Sequence, residues 1–398
     1  MLLLIHDVAS TCDRPYSTRM ADSVIARNDA ITDHPSFSDY LKIGFFQTAV
    51  LRALTYHKTT ESACTDTNTD WEGYLESSSE GLLPYLTNAT RDTGYPLDRF
   101  ATGDGLAHLY NKSRNTTVKN ALHALRQSVN LQARNQYGGY WFYTYPNWSY
   151  LDGTYSLLPF LVEYTQRFDP GNATTVAGDV IHQLELLWTH CQDQSTSASE
   201  GNGSGLLVHG YDSAKKASWA NSVTGGSPYV WSRALGWYFM ALVDVYDIVH
   251  PHDIFPKELE SYIRQQYTEL VHAVLSAADK DSGCWWQVVT LPHAKGNYIE
   301  TSGSGMLVYG LLKGSRLGLL SAEEEYTGVA EKCYNHILQE YVVDEGDGLL
   351  GFNGTVGVCS LNSSATYEYY VNEPVAYNSL HGIAAFTLAS LEHEMRSN

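Results

Sequence analysis

The sequence predicts an all-α protein, an (α/α)6 barrel in which six inner helices are enclosed by six outer helices. Hydrophobic periodicity gives twelve helical segments, which alternate between two kinds. No Pro-, Gly- or Ser-rich linker divides the chain, so residues 1–398 are expected to form a single barrel domain. The expected segments are 16–29, 38–57, 62–80, 98–112, 114–133, 152–168, 173–193, 233–249, 256–277, 299–317, 321–341 and 378–394.

The two kinds of segment differ in how much of their surface is apolar. Segment 114–133 carries one apolar stripe, as expected of an outer helix, formed by Val118, Leu122, Leu125 and Val129. Segment 233–249 is apolar nearly all round, which indicates burial on most sides. Segment 299–317 contains Gly303, Gly305 and Gly310, which permit close helix approach at some cost in helix stability. An irregular helical array or a solenoid is the alternative, but no fixed repeat of about 30–45 residues supports a solenoid.

Long loops between the helices are rich in aromatic residues, Gly and Asn, and loops of this length are usually functional. They are expected to form the site, and they lie at 134–151, 194–232, 278–298 and 342–377. Tyr and Trp offer a flat apolar face with a polar edge, which suits stacking on sugar rings. The 29 tyrosines and 9 tryptophans are therefore compatible with a sugar site, or with a Tyr-rich core. Short strands are expected at 205–208, 284–289 and 366–371.

The formal net charge of −19 makes nucleic acid and anionic membrane poor partners, because both require a basic footprint. An acidic substrate would have to be captured by local Arg and His side chains and helix N-termini. No stretch approaches the roughly 20 apolar residues of a membrane span. The oligomeric state is left open by the sequence.

Cysteines and glycosylation sequons favour a secreted, eukaryotic protein with N-glycans. Six cysteines occur without a CxxC pair, which argues against a zinc ribbon, and their even number permits disulfides without requiring them. N-x-S/T sequons open at Asn88, Asn111, Asn115, Asn147, Asn172, Asn202, Asn353 and Asn362. The start MLLLIHDVAS lacks a basic n-region and a full h-region, so a shortened or mature N-terminus is expected.

Polar and aromatic residues gather at the expected N-terminal ends of the even-numbered helices. If these helices form an inner ring that runs in one direction, their starts converge on one barrel mouth, where helix N-termini favour an anion. The residues are Asp98, Asp152, Trp231, Arg233, Glu300, Thr301, Tyr377 and Asn378.

Two of these residues, Asp98 and Asp152, are candidate catalytic carboxyls. Asp152 follows an aromatic run, residues 140–150, that includes Trp141 and Tyr150 as candidate sugar-stacking residues. Aromatic surroundings with little water raise the pKa of a carboxyl and suit it to act as a general acid. Two carboxyls facing one cleft are the usual glycosidase arrangement. The alternative for each residue is a helix N-cap.

His209 and Arg233 are candidate substrate-binding residues. His209 lies in a loop, where a histidine with a merely structural role is the common alternative. Arg233 stands between Trp231 and Trp237, and an arginine can bind a carboxylate bidentately while tolerating aromatic neighbours. Its alternative role is to hold the carbonyls of a neighbouring loop. No phosphate loop, dinucleotide fingerprint, HExxH or EF-hand run is present, so neither a cofactor nor a metal is implied.

Several blocks of sequence resemble glycoside hydrolase family 105, the unsaturated rhamnogalacturonyl hydrolases, which are relatives of the family 88 unsaturated glucuronyl hydrolases. The most specific features are a W-S-R-x-x-G-W run and an upstream L-D-G. The blocks follow the family's order over most of the chain: TRMADSVIARND (18–29), LDGTYSLLPFLVEY (151–164), LLVHGYDSAKKASWAN (206–221), SPYVWSRALGWYFMALVDV (227–245) and ETSGSGMLVYGLLKGSRLG (300–318).

The resemblance implies an (α/α)6 barrel that removes the terminal 4,5-unsaturated uronic acid from lyase-generated rhamnogalacturonan or pectin oligosaccharides. By motif, Asp152 matches the acid that protonates C4 of the substrate's vinyl ether, and Asp98 matches a second carboxylate that binds sugar hydroxyls. A substrate-contacting histidine matches His209. The pocket for the uronate ring and carboxylate matches Trp231, Arg233 and Trp237.

One departure from the family pattern concerns the acceptor side of the site. Many relatives carry a basic pair where Phe142 and Tyr143 stand here. This departure could move preference away from a plain rhamnose-linked substrate. The alternatives are an unsaturated glucuronyl hydrolase acting on other lyase-treated acidic glycans, a non-catalytic sugar-binding barrel and an ordinary endo-glycosidase.

Overall fold

Fourteen α-helices and six short strands make up the regular structure of residues 14–60, 69–194, 203–320 and 323–397, which the computed structural model describes. The helices are α1 (Tyr16–Ala26), α2 (Asp39–Thr60), α3 (Trp71–Leu82), α4 (Ala89–Asp92), α5 (Gly103–Ser113), α6 (Thr116–Leu131), α7 (Asp152–Phe168), α8 (Ala173–His190), α9 (Ser232–Val249), α10 (Lys257–Ser276), α11 (Thr301–Arg316), α12 (Glu323–Glu340), α13 (Tyr367–Asn372) and α14 (Leu380–Ser397). The strands are β1 (Trp148–Tyr150), β2 (Gly210–Asp212), β3 (Val342–Gly346), β4 (Leu349–Phe352), β5 (Thr355–Val356) and β6 (Val375–Ala376).

Six of the long helices form a closed inner ring, in the order α2, α5, α7, α9, α11 and α14, and α14 packs back against α2. A 3-10 turn, Leu97–Thr102, leads directly into α5. This turn packs against both α2 and α7 and so completes the ring at the position of α5. The outer helices α1, α3, α6, α8, α10 and α12 each pack on an inner neighbour. The predicted (α/α)6 barrel is therefore confirmed.

The inner helices are buried because their sequences are apolar on most sides. Helix α9 presents Leu235, Phe239 and Leu242 to its neighbours with no exposure of these side chains. Helix α11 approaches α9 closely where it carries glycine: a Cβ on Gly310 would lie 2.5 Å from the Phe239 ring. The glycines expected to allow close helix approach are thus needed at this contact.

Some local expectations were wrong. The strand expected at 366–371 is helix α13, because the Thr366 side chain accepts a hydrogen bond from the Tyr369 amide and caps the turn. The strands expected at 205–208 and 284–289 form only isolated bridges. Helix α3 begins at Trp71 behind the Asp70 cap, and residues 62–68 of the expected segment lie outside the described residues.

Within the described ranges, one disulfide, Cys284–Cys333, joins the loop before α11 to α12. Cys191 and Cys359 are buried thiols, and Cys12 and Cys64 lie outside the described residues. Among the described helices, none combines the length and apolar character that crossing a membrane would require.

The small sheets bind the loops to the barrel mouth. Strands β1 and β2 pair antiparallel with Tyr150 opposite Gly210, directly before helix α7 and directly after His209. Strands β5 and β6 pair between the starts of α11 and α14. These pairings fix loop residues near the N-terminal ends of the inner helices.

Candidate active site

A cavity of about 230 Å³ opens at the barrel mouth where the inner helices begin. Residues at or just before the starts of inner helices line it, namely Ser38, Asp98, Asp152, Trp231, Arg233 and His381. Aromatic side chains from the loops form much of the remaining wall, namely Phe37, Phe142, Tyr143, Tyr145 and Tyr150. The expected convergence of helix starts on one mouth is therefore found.

Asp152 lies in the first turn of α7, and the β1–β2 pairing places it beside His209. The Leu151 amide donates to the His209 carbonyl (3.0 Å), which continues the sheet to the helix start. His209 Nε2 lies 3.1 Å from Asp152 Oδ2, although the ring is not oriented for a straight hydrogen bond. On its other side, His209 Nδ1 lies 2.7 Å from the Tyr370 hydroxyl. His209 is therefore a buried neighbour of the carboxyl, held from behind by Tyr370.

Asp98 shares the cavity with Asp152 and is almost fully buried in the 3-10 turn before α5. Burial, and then the negative charge of Asp152, raise the pKa of Asp98 well above its usual value, and nearby Arg99 offsets this only in part. The raised pKa was predicted for Asp152, which follows the aromatic run, and that prediction stays a prediction; the shift found here belongs to the second carboxyl, Asp98. The two carboxyls predicted to face one cleft do so.

Arg233 lines the cavity, but its hydrogen bonds go to protein atoms. Nε donates to Ser302 Oγ (2.7 Å), Nη1 to the Gly357 carbonyl (2.9 Å), and Nη2 to the Val356 carbonyl. Nη2 also lies 3.5 Å from Glu300, which caps α11 by accepting from backbone amides. The expectation that Arg233 binds the substrate carboxylate directly does not fit this geometry. Its alternative role, holding the carbonyls of a neighbouring loop, does.

The predicted stacking residues divide into two groups. Trp231, Trp237 and Tyr150 line the cavity, whereas Trp141 is not part of its lining. Its neighbour Phe142 lines the cavity in its place and stacks on Tyr150 with ring centroids 4.4 Å apart. Because successive residues of an extended chain point to opposite sides, the sequence could not show which of the two aromatic residues would face inward.

Other lining residues were not predicted, and some predicted ones lie elsewhere. His381 stands in the first turn of α14, a position equivalent to that of Arg233 in α9, so the logic of helix starts could have found it. Phe37 precedes α2 and forms part of the rim. Tyr377 is half exposed and donates to Glu345, away from the cavity. Position at the start of an inner helix therefore predicts which end of the barrel holds the cavity, but it does not predict which side chains line that cavity.

Several buried polar atoms on this cavity make no hydrogen bond with any part of the chain that the structure describes. They are Asp98 Oδ1, Asp152 Oδ2, Trp237 Nε1 and His381 Nε2. An unsatisfied buried polar group costs about 1–3 kcal/mol, so native proteins rarely leave several together without a reason. Two acceptors and two nitrogen atoms on one aromatic-lined cavity are suited to a ligand that carries many hydroxyl groups.

Within the described ranges, no group of three or more His, Cys, Asp or Glu side chains could hold a metal ion. The cavity is lined by two carboxyls, the His381 imidazole and aromatic faces. A pair of carboxyls, one of them with a raised pKa, can donate a proton and orient water.

Comparisons with known proteins identify the family and the fold of this chain. A family model described as Glycosyl Hydrolase Family 88 matches residues 16–397. The 24.9 kDa protein in the picA locus of Rhizobium radiobacter is 32% identical over 243 residues, which are 59% of this chain and 97% of that protein.

Solved structures share the barrel. A glycoside hydrolase from family 105 of C. acetobutylicum superposes with a TM-score of 0.80 and 28% identity, covering 96% of this chain and 100% of that one. The unsaturated glucuronyl hydrolase of Bacillus sp. GL1 has a TM-score of 0.61 and 11% identity, with 95% of each chain covered, which is a likeness of fold. The chain therefore belongs to glycosyl hydrolase family 88, and its fold is the helical barrel of the family 88 and family 105 glycoside hydrolases.

Proposed function

We propose that the protein hydrolyses the terminal 4,5-unsaturated uronic acid from lyase-generated rhamnogalacturonan or pectin oligosaccharides. The observation that carries the proposal is the set of unpartnered polar atoms on one aromatic cavity with two carboxyls, Asp98 and Asp152. Such a cavity suits one sugar ring with its hydroxyl groups hydrogen-bonded and its face stacked on aromatic rings. Membership of the family supplies the reaction class.

The proposed chemistry begins with proton transfer from Asp152 to C4 of the vinyl ether. The positive charge that develops is shared between C5 and the ring oxygen, and water then adds at C5. The hemiketal opens to a ketone at C5, which leaves a hemiacetal at C1. That hemiacetal collapses to an aldehyde and releases the remaining oligosaccharide as an alcohol.

The side chains around Asp152 fit the steps of this reaction. Asp152, after giving up its proton, can accept one from the attacking water, so it is restored at the end. His209, 3.1 Å away, would stabilise the ionised carboxylate between the steps. Asp98, whose pKa is raised, would hold sugar hydroxyls with its free oxygen, and as a neutral group it would not repel an acidic ring. The anomeric carbon is not attacked, so neither retention nor inversion applies.

A substrate panel tests the proposal. Lyase-treated rhamnogalacturonan, unsaturated glucuronyl disaccharides and saturated polygalacturonan would be incubated with the protein. The ultraviolet absorbance of the C4=C5 bond would be followed for the two unsaturated substrates, and new reducing ends would be measured for the saturated polymer. We expect loss of absorbance with the first substrate and release of a keto-uronate seen by mass spectrometry. Turnover of only the glucuronyl compounds would assign the protein to that activity instead. Binding without turnover, or activity on the saturated polymer, would refute the proposal.

We propose further that the protein is secreted and carries N-glycans. Of the seven sequon asparagines that lie within the described residues, six are exposed, namely Asn88, Asn111, Asn115, Asn172, Asn353 and Asn362. The Cys284–Cys333 disulfide also supports an oxidising compartment. Treatment of the protein from its natural host with an N-glycosidase should lower its mass and convert occupied asparagines to aspartates. An unchanged mass would contradict this proposal.

A further inference from the structure

The cavity presents a problem of charge if its ligand is a uronate. Asp98 and Asp152 supply acceptors for hydroxyl groups, but a carboxylate requires donors. Among the described residues that line the cavity, Arg233 is the one arginine or lysine, and its donors are engaged with the chain. Either the carboxylate displaces these bonds, or it is held by a different group.

His381 provides a donor whose orientation is fixed by Arg233. Arg233 Nη1 and His381 Nδ1 lie 3.4 Å apart in hydrogen-bond geometry. Arginine has only donors, so Nδ1 must be the acceptor in this pair. A neutral imidazole whose Nδ1 accepts carries its proton on Nε2. The Nε2 atom is buried, borders the cavity and has no partner within the described residues.

The electrostatic setting keeps this imidazole neutral. Burial, with additional effects from the positive charges of Arg233 and Lys42, lowers the pKa of His381 well below its usual value. The side chain is 3% exposed, so bulk water does not compete for its N–H group. Trp237 Nε1, a second unpartnered donor, belongs to a ring whose centroid is 6.2 Å from that of His381. Two neutral N–H donors therefore border one cavity, with a buried guanidinium directly behind one of them.

We propose that His381 is the carboxylate-recognition residue and donates a hydrogen bond from Nε2 to the uronate carboxylate. Arg233 acts as a positioning residue: it fixes the tautomer of His381, and its positive charge behind the ring favours a carboxylate on the other side. This inference rests on the proposed function, since it assigns the binding of that substrate's carboxylate. Arg233 then has two tasks at once: it anchors the loop that contains Val356 and Gly357, and it orients His381.

The first test measures the tautomer and needs no substrate. Ring nitrogens of 15N-histidine-labelled protein would be followed between about pH 5 and 8, with His381 assigned by comparison with His381→Gln. We expect Nε2 protonated, Nδ1 unprotonated and no titration across this range. A proton on Nδ1, or titration of the ring within the range, would overturn the proposal whatever the enzyme's activity.

The second test measures carboxylate recognition in an Asp152→Asn background, so that bound substrate persists. Calorimetry would compare the unsaturated uronide with its methyl ester, before and after His381→Phe. A hydrogen bond to a charged group corresponds to about ten- to a hundredfold in affinity, so His381→Phe should lower the affinity for the acid by that factor. The ester keeps an acceptor but not the charge, so the loss of affinity for the ester should be about tenfold smaller. His381→Gln places an amide N–H near the position of Nε2 and should restore part of the loss, whereas the exposed His252→Phe serves as the matched control.

The outcomes separate this inference from the proposed function. If His381→Phe lowered the affinity for acid and ester equally, or lowered neither, the inference about His381 would be overturned. Turnover by the wild type would still support the proposed function in that case. Failure of the Asp152→Asn protein to bind acid or ester at all, together with no turnover by the wild type, would overturn both. Binding without wild-type turnover would refute the hydrolase and leave the carboxylate comparison as a valid test.

Discussion

The two mouths of the barrel each hold a pair of carboxyls, yet they differ in what surrounds those pairs. At the upper mouth, where the inner helices begin, Asp98 and Asp152 line the cavity of about 230 Å³. At the lower mouth, Asp104 and Glu163 line a larger cavity of about 540 Å³. In each pair one carboxyl has a raised pKa, Asp98 above and Glu163 below, because of burial and then the charge of its partner.

The lower pair differs from the upper pair in its partners. Asp104 accepts from Thr48 Oγ1 (2.7 Å), and Glu163 forms hydrogen bonds with Asp104 and an ion pair with Arg167. The charged side chains around them are also paired. Arg52 binds Asp244 through two bonds (3.1 and 2.8 Å), Lys313 contacts Asp244 and Asp247, and Arg316 binds Glu392.

Neither a carboxyl pair nor cavity size therefore distinguishes the mouth that holds the candidate site. The two mouths differ in whether their buried polar atoms have partners. Within the described residues, several such atoms at the upper mouth have none, whereas those at the lower mouth are paired except for His108 Nε2. Partnered buried charges add little net stability, but removing one member of such a pair is costly. Unpartnered atoms, in contrast, reduce stability until a ligand satisfies them.

The largest stability effect is expected at the lower mouth, from Asp244→Ala. Asp244 is buried and compensates Lys313, which is 2% exposed, as well as Arg52. Removing one partner of a buried pair leaves an uncompensated charge, which costs about 3–5 kcal/mol. Urea unfolding should show this loss, while turnover per folded molecule stays at the wild-type value. A loss below about 1 kcal/mol, or a catalytic defect in the folded fraction, would break the distinction between the mouths.

A second effect concerns the pH dependence of stability. Because the pKa of Asp98 is raised on folding, its stabilising contribution is complete below the unfolded-state pKa and is lost as pH rises through the folded-state pKa. The free energy of unfolding of Asp98→Asn should therefore fall less than that of the wild type on going from about pH 5 to pH 8. Glu163→Gln should act in the same direction at the lower mouth, but without loss of activity. Parallel pH profiles for Asp98→Asn and wild type would contradict the burial of an uncompensated carboxyl.

A smaller effect is expected from Tyr370→Phe. The Tyr370 hydroxyl lies 2.7 Å from His209 Nδ1 and fixes the ring beside Asp152. Loss of one such hydrogen bond costs about 0.5–1.5 kcal/mol, which is roughly two- to tenfold in kcat/KM. Tyr377→Phe, which removes a hydroxyl outside the cavity, provides the control and should leave kcat/KM unchanged. Equal effects of the two variants would show that His209 needs no support from Tyr370.

The sequence predicted the barrel, and the gathering of helix starts at one mouth, because both depend on local patterns. Alternation of amphipathic and fully apolar helices indicates two rings, and helices of one ring that run in the same direction must begin at the same end. Asp98 and Asp152 follow from this argument without knowledge of any contact between them. The family resemblance, carried by residues 151–164 and 227–245, is confirmed by the match of the family model to residues 16–397.

What the sequence could not predict depends on contacts between distant parts of the chain. The bonds of Arg233 to the Val356 and Gly357 carbonyls join residues more than a hundred positions apart. The choice of Phe142 instead of Trp141 as a lining residue depends on the direction in which a loop faces the barrel. The tautomer of His381, with its proton on Nε2, can be inferred only from the contact between Nδ1 and Arg233, which the sequence does not show.

We propose that chemistry takes place at the upper mouth and not at the lower one, and an Asp→Asn substitution at each mouth distinguishes the two. Turnover of lyase-treated rhamnogalacturonan would be measured for Asp152→Asn and for Asp104→Asn, with thermal unfolding recorded for both proteins. We expect Asp152→Asn to lower kcat/KM by about 10²–10⁴-fold while the protein stays folded, because a general acid–base group is removed. Asp104→Asn should retain wild-type turnover per folded molecule. Full turnover by folded Asp152→Asn, or an equal loss in both variants, would contradict the account.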